Sequence, residues 1–245
     1  VDGQLDLKAL ESAITPRTRA MVTVSPNNPT GVVYPQVDLR AVNRLCLEQG
    51  IYHISDEAYE YFLYDGVQHF SPGAITDSAQ HTICLYSLSK AYGFASWRIG
   101  YMVIPPHLLV PVKKIQDTNL ICPPVVSQYA AMGCLQVGQA YCEEKLGAVR
   151  DIRSLVLERL ADWNSFAQAS PALGAFYVLL KVNVDLPALD LTRRLIENHK
   201  VAVIPGSAFG LTDACYIRLA YGVLDLPTCE EALERLESGL RRLAD

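Results

Sequence analysis

Short apolar runs alternate with segments of helical periodicity in the first half of the chain. The runs predict strands at residues 19–24, 51–55, 82–87 and 99–104. Helical spacing of apolar residues predicts helices at 6–14 and 36–49, and Gly50 supplies a C-terminal signal for the second helix. Strand–loop–helix repetition with nearly continuous apolar strands is typical of an α/β domain built on a mainly parallel sheet.

The second half begins with a helical pattern and then alternates again. Apolar periodicity predicts helices at 125–136 and 140–166. Beyond them, the pattern predicts strands at 175–184, 201–204 and 216–220 and helices at 189–198 and 229–243. We therefore expect a large α/β domain over residues 1–150 and a smaller C-terminal α+β domain over residues 151–245.

Composition narrows the range of partners. Half of the 245 residues are apolar, and the net charge is −5. Because no run of five basic residues occurs, neither nucleic acid nor an anionic membrane is an expected partner. The longest apolar stretch, residues 99–112, is interrupted by prolines and is too short to span a membrane.

The cysteines and histidines of the chain indicate its redox compartment and whether a metal site is expected. The seven cysteines are odd in number and include no Cys-x-x-Cys pair, which favours a reducing, cytoplasmic setting. The five histidines show no spacing typical of metal ligands, so no metal site is expected.

Polar residues follow three of the predicted strands. Asn28 follows the first strand, Asp56 the second, and Ser87 and Lys90 the third. Because ligands of parallel α/β sheets bind at the carboxyl ends of the strands, we expect these segments to converge on one edge of the sheet.

The segment 87–101, SLSKAYGFASWRIGY, carries the most informative residues. The amine of Lys90 can form a Schiff base with an aldehyde. The hydroxyls of Ser87 and Ser89 and the guanidinium of Arg98 can bind a phosphate. Pyridoxal 5'-phosphate (PLP) carries both an aldehyde and a phosphate, so this segment predicts a PLP site.

Other residues match the remaining needs of PLP. The Asp56 carboxylate can keep the pyridine nitrogen protonated, although an aspartate after a strand can also cap a helix. Tyr59 and Asn28 can bind the ring oxygen; alternatively, Tyr59 packs as a buried aromatic and Asn28 simply forms a turn.

Arg218 lies inside an apolar strand, where a guanidinium requires a partner. That partner is either the carboxylate of an amino-acid substrate or an internal acidic residue.

These motifs together resemble the class I/II aminotransferases of the fold-type I PLP-dependent enzymes. The matching segments are SPNNPTG at 25–31, DEAY at 56–59, SLSKAYGFASWRIG at 87–100, GAFY at 174–177, PGSAFG at 205–210 and IRLAY at 217–221. The resemblance implies a PLP-dependent transferase fold, in which residues 1–150 are the C-terminal part of the PLP-binding large domain. It also implies a homodimer when full length, and an N-terminal portion that this chain lacks.

The resemblance implies roles that agree with those above. Lys90 holds the cofactor covalently, and Asp56 binds its pyridine nitrogen. Tyr59 and Asn28 bind the ring oxygen. Ser87, Ser89 and Arg98 bind the phosphate. Arg218 binds the carboxylate of the substrate.

Three functions are compatible with these residues. The first is an aminotransferase that moves an amino group between an α-amino acid and a 2-oxo acid. The second is a PLP-dependent β-lyase or cyclase on the same scaffold. The third is the non-catalytic effector domain of a transcription regulator.

Overall fold

The computed structural model describes residues 3–244 and resolves into two compact units. The N-terminal unit comprises Gln4–Pro26 and Val33–Glu144. The C-terminal unit contains the short segment Asn27–Val32 and the chain from Lys145 onward. The change of unit at Lys145 and the predicted domain boundary at residue 150 lie in the same long helix, and the boundary itself stays a prediction.

A four-stranded sheet organises the N-terminal unit. Its strands are β1 (Ala20–Val24), β2 (Tyr52–Asp56), β3 (Thr82–Ser87) and β4 (Gly100–Val103), in that spatial order. The first three are parallel, and β4 runs antiparallel to β3. The prediction of a mainly parallel sheet is confirmed. The second strand extends one residue further than predicted, so that Asp56 is its last residue.

Among the described residues, four α-helices belong wholly or partly to this unit: α1 (Leu7–Ser12), α2 (Gln36–Glu48), α3 (Leu109–Asn119) and α4 (Val125–Ala161). The Asp6 side chain caps α1 by accepting a hydrogen bond from Ala9 N at 3.0 Å. Gly138 interrupts α4 with φ 64° and ψ −156°, which explains why apolar periodicity predicts two separate helices there.

An antiparallel sheet organises the C-terminal unit. Its strands are β5 (Ala167–Ala169), β6 (Tyr177–Val182), β7 (Ile204–Pro205) and β8 (Cys215–Ala220), in the spatial order β5-β6-β8-β7. Helices α5 (Ala188–His199) and α6 (Leu226–Ala244) complete it. Their apolar faces pack with the end of α4 and the sheet into one core, with fully buried side chains such as Val178, Leu191, Leu195, Ile217 and Leu240.

Within residues 3–244, five short 3-10 helices connect these elements, at Pro72–Ala74, Ser78–Gln80, Ala95–Trp97, Pro106–Leu108 and Gly206–Phe209. Among the described helices, none combines the length and apolar character needed to cross a membrane.

Gly31 lies near the end of Asn27–Val32, the short segment that belongs to the C-terminal unit. Its φ is +69°, and a Cβ there would lie 2.4 Å from the Tyr177 carbonyl oxygen. We expect Gly31→Ala to lower the free energy of unfolding by about 2 kcal/mol or more, because backbone strain and a clash with main-chain atoms combine. Urea unfolding measures this. Gly210→Ala is the matched control, since Gly210 has φ +80° but open space around it. Equal losses in the two variants would contradict the prediction.

Candidate active site

The register of β2 and β3 places two candidate residues on one face of the sheet. Asp56 pairs with Leu85, and successive side chains in a strand point to opposite faces. Asp56, Leu85 and Ser87 therefore share a face, at the carboxyl ends of two adjacent parallel strands. This is the end at which parallel sheets bind ligands.

Asp56 is held from both its backbone and its side chain. Its carbonyl oxygen accepts a hydrogen bond from Ser25 N at 3.1 Å, and its Oδ1 accepts one from Ala58 N at 3.0 Å. A turn at residues 58–61 follows, and not a helix. Asp56 thus caps a turn with one oxygen. A carboxylate has further acceptor sites, so this bond is compatible with a ligand on the second oxygen.

Tyr59 and Lys90 lie close to each other. The Lys90 Nζ is 5.7 Å from the centre of the Tyr59 ring, which is within the range of a cation–π contact. Tyr59 is buried and also packs edge-on against Phe62 at 6.3 Å between ring centres. Tyr59 is therefore a packed aromatic residue, as one of the two alternatives states, and it also lies beside the candidate lysine.

The turn that carries Lys90 is anchored on both sides by buried side chains. Leu88 is 2% exposed and Tyr92 is 5% exposed, and both pack with Ala131 and Cys142 of α4. Backbone hydrogen bonds close the turn, from Gly93 N to Lys90 O at 3.0 Å and from Phe94 N to Leu88 O at 3.1 Å. Lys90 itself is half-buried between these anchors. The amine is therefore presented from a fixed backbone.

The phosphate candidates divide into two groups. Ser89 N donates to Ser87 Oγ at 3.2 Å, so the two serines occupy one tight turn after β3. Arg98 lies after the 3-10 helix at Ala95–Trp97, is exposed, and has φ +52°. Its Nη1 donates to Ala95 O at 2.8 Å. Its described contacts do not include either serine, and its phosphate role stays a prediction.

The structure groups Asn28 with Arg218 in the C-terminal unit. Arg218 Nη1 donates to Asn28 Oδ1 at 2.8 Å. The guanidinium contacts two rings, with its central carbon 4.3 Å from the centre of Tyr177 and 5.1 Å from that of Phe209. Its buried Nε has no partner among the described residues, and the part of the chain that is described contains no acid paired with it. A stacked guanidinium with unused donors is suited to a carboxylate ligand.

Sequence reasoning gives no role to Glu57 and Glu60 near the end of β2, although Glu57 lies within the DEAY segment. Glu57 is 1% exposed and bonds to His69 and Ser71. Burial, countered in part by His69, raises the pKa of Glu60 to about 7. The alternation of β2 is the signal that could have found Glu57, since it continues the buried face of His53 and Ser55.

His53 lies at the centre of a second buried polar group. Its Nε2 is 2.9 Å from Thr23 Oγ1, and its Nδ1 accepts from Asn43 Nδ2 at 3.1 Å. Burial, together with the nearby His81, lowers the pKa of His53 to about 4. His53 is therefore neutral at physiological pH, and these bonds tie α2 to the sheet.

Comparison with known proteins identifies the class. Residues 1–236 match the family model described as "Aminotransferase class I and II". The chain is 33% identical over 241 residues to aromatic-amino-acid aminotransferase 2 of Thermococcus litoralis, covering 97% of this chain and 61% of that protein. It is 36% identical to the aspartate/prephenate aminotransferase of Thermus thermophilus, covering 97% of this chain and 60% of the relative.

Solved structures give the same result. A Thermus thermophilus aspartate aminotransferase double mutant superposes with a TM-score of 0.88 at 36% identity, covering 97% of this chain and 61% of that one. An aromatic aminotransferase from Pyrococcus horikoshii OT3 superposes with a TM-score of 0.91 at 32% identity, covering 97% and 64%.

The chain therefore belongs to the class I and II aminotransferase family, and it has the fold of the PLP-dependent transferases. The resemblance and the fold class predicted from the sequence are confirmed. The chain spans about three fifths of the length of the curated relatives that it matches.

Proposed function

We propose that the protein is a PLP-dependent aminotransferase that moves an amino group between an α-amino acid and a 2-oxo acid. The observation that carries this proposal is the anchored Lys90 turn, which begins one residue after Ser87 at the carboxyl end of β3. Members of the family use PLP. The donor set fits that cofactor, since it combines an amine, a carboxylate and two hydroxyls on adjacent segments of one unit.

Each residue has a definite task in this proposal. Lys90 holds the cofactor covalently and moves a proton at the α-carbon of the substrate. Asp56 accepts a hydrogen bond from the pyridine nitrogen, and Tyr59 binds the ring oxygen. Phosphate binding falls to the turn hydroxyls of Ser87 and Ser89, together with Arg98. When bound, the cofactor supplies an electron-accepting ring.

The substrate carboxylate is assigned to Arg218. Asn28 supports this assignment, because it accepts from Nη1 and so helps to orient the guanidinium, which also contacts the rings of Tyr177 and Phe209. The remaining guanidinium donors can then form the bidentate pair that carboxylates favour. We keep as a proposal the sequence prediction that the Asn28 amide nitrogen donates to the ring oxygen of the cofactor.

The test is product stoichiometry. We expect the protein supplied with PLP, an amino acid and a 2-oxo acid to form one new 2-oxo acid for each new amino acid. Formation of pyruvate or another product without a 2-oxo acid acceptor would favour the β-lyase or cyclase. Ligand binding without turnover would favour the effector domain. Either result would overturn the aminotransferase proposal.

We also propose that the protein acts in the cytoplasm as a homodimer. Cys46, Cys84, Cys142, Cys215 and Cys229 are buried and unpaired with one another, as suits a reducing compartment. Exposed large apolar side chains on the N-terminal unit support association with a second copy. They lie on α3 and α4, at Leu109, Val110, Ile115, Val125, Val126, Tyr129, Met132, Leu135, Val137 and Tyr141.

A further inference from the structure

A hydrogen-bonded chain around the buried Glu57 lies on the face of the sheet opposite Asp56 and Ser87. Glu57 continues the pairing of β2 with β3, since its N–H donates to Leu85 O at 2.9 Å. Because strand side chains alternate, Glu57 and Tyr86 share the face that Asp56 and Ser87 do not occupy. Glu57 and Tyr86 are thus the chain neighbours of the proposed cofactor ligands Asp56 and Ser87, respectively.

Ser71 connects Glu57 to Tyr86 through hydrogen bonds. Its Oγ donates to Glu57 Oε1 at 2.9 Å and lies 3.1 Å from the Tyr86 hydroxyl. The one proton of the Ser71 hydroxyl goes to the carboxylate, so the Tyr86 hydroxyl must donate to Ser71. His69 Nε2 donates to the other oxygen of Glu57 at 2.7 Å. Tyr86 therefore donates to Ser71, and Ser71 donates to Glu57. His69 donates to the second carboxylate oxygen of Glu57.

Burial makes this arrangement stiff. Glu57 is 1% exposed, and hydrogen bonds in such surroundings are stronger than bonds exposed to water. Tyr86 is further held by stacking on Tyr101 of β4, with ring centres 4.8 Å apart and planes 17° apart. The bonds therefore connect the ends of β2 and β3 through side chains as well as through the backbone ladder.

We propose that Glu57, Ser71, Tyr86 and His69 form a positioning clamp that sets the spacing between Asp56 and Ser87. The proposal rests on the proposed function, in which Asp56 binds the pyridine nitrogen of PLP and Ser87 its phosphate. Both groups belong to one small cofactor, in which the carbon that carries the phosphate arm is meta to the ring nitrogen, so the two anchors must stay within a narrow range of distances. The clamp residues act through their chain neighbours and do not touch the cofactor themselves.

Ser71→Ala tests the clamp, because it removes both central hydrogen bonds and retains Glu57 and Tyr86. We expect the dissociation constant for PLP to rise about tenfold, as the loss of one to two net hydrogen bonds implies. Ser71→Thr restores the hydroxyl and should restore affinity. Tyr86→Phe should raise the dissociation constant by a similar factor. In the double variant, the dissociation constant should exceed that of Ser71→Ala alone by much less than tenfold.

A measurement without cofactor tests the clamp independently. In cofactor-free protein, Ser71→Ala should accelerate amide hydrogen exchange at residues 56–58 and 86–89 several-fold and leave other segments unchanged. Ser78→Ala is the matched control. Ser78 is a buried serine of the neighbouring 3-10 helix whose hydroxyl bonds to Gly73 O and not to the clamp.

The outcomes separate the clamp from the proposed function. If Ser71→Ala binds PLP like the wild type, or if Ser78→Ala has the same effects, the clamp is overturned. Unchanged exchange at residues 56–58 and 86–89 overturns it as well. If the wild type does not bind PLP, the proposed function fails, while the exchange rates still decide whether the clamp fixes these two segments.

Discussion

Lys90→Ala is expected to abolish covalent attachment of PLP and to lower the rate of amino transfer about a thousandfold or more. The reason is that one amine serves two purposes, holding the cofactor and moving the proton at the substrate α-carbon. Proton transfer by a positioned side chain contributes about 10²- to 10⁴-fold by itself. The visible absorbance of the protein-bound cofactor should disappear together with the activity.

Two measurements make this result specific. Lys113→Ala, which changes an exposed lysine of α3, should leave absorbance and rate unchanged. The fold of Lys90→Ala should also stay intact, because Leu88 and Tyr92 supply the buried contacts of the turn. A folded Lys90→Ala protein with wild-type rate would remove Lys90 from the chemistry.

Asp56→Asn is expected to lower turnover by up to about a hundredfold while PLP stays attached to Lys90. Asparagine keeps an oxygen for the bond from Ala58 N, so the turn is preserved. It loses the negative charge that keeps the pyridine nitrogen protonated. A hydrogen bond to a charged group contributes about 3 kcal/mol at most, and this amount corresponds to roughly two powers of ten in rate.

The effect of Asp56→Asn is separable from a general charge effect. Asp77→Asn provides the control, since Asp77 is exposed and its left-handed backbone suits asparagine equally well. Turnover of Asp56→Asn within a few fold of the wild type would show that the pyridine nitrogen has no need of this carboxylate.

The sequence predicts most of the framework because its signals are local. Apolar runs mark the parallel strands, and the position of Asp56 and Ser87 at the carboxyl ends of β2 and β3 follows from parallel pairing. The kink at Gly138 is visible as a break between two helical patterns. Arg218 inside an apolar strand predicts a carboxylate partner, from a substrate or from an internal acid; the structure gives it a hydrogen bond to the Asn28 amide, and the carboxylate partner stays a prediction.

Other features depend on contacts that no local pattern encodes. Ser71 lies 14 residues from Glu57 and 15 from Tyr86, in a segment of turns without periodicity. The grouping of Asn28 with the C-terminal unit depends on the contacts of Gly31 with residues such as Tyr177. Arg98 bonds within its own turn, and spacing from Lys90 alone does not determine where its guanidinium points.

The central claim is that the amine of Lys90 is the covalent anchor of the cofactor. Incubation with PLP, reduction with borohydride, proteolysis and mass spectrometry test this most directly. The account predicts a single phosphopyridoxyl-modified peptide that contains Lys90, and none from Lys90→Ala. Labelling of Lys113, Lys114 or other lysines in place of Lys90, or of none, would contradict it.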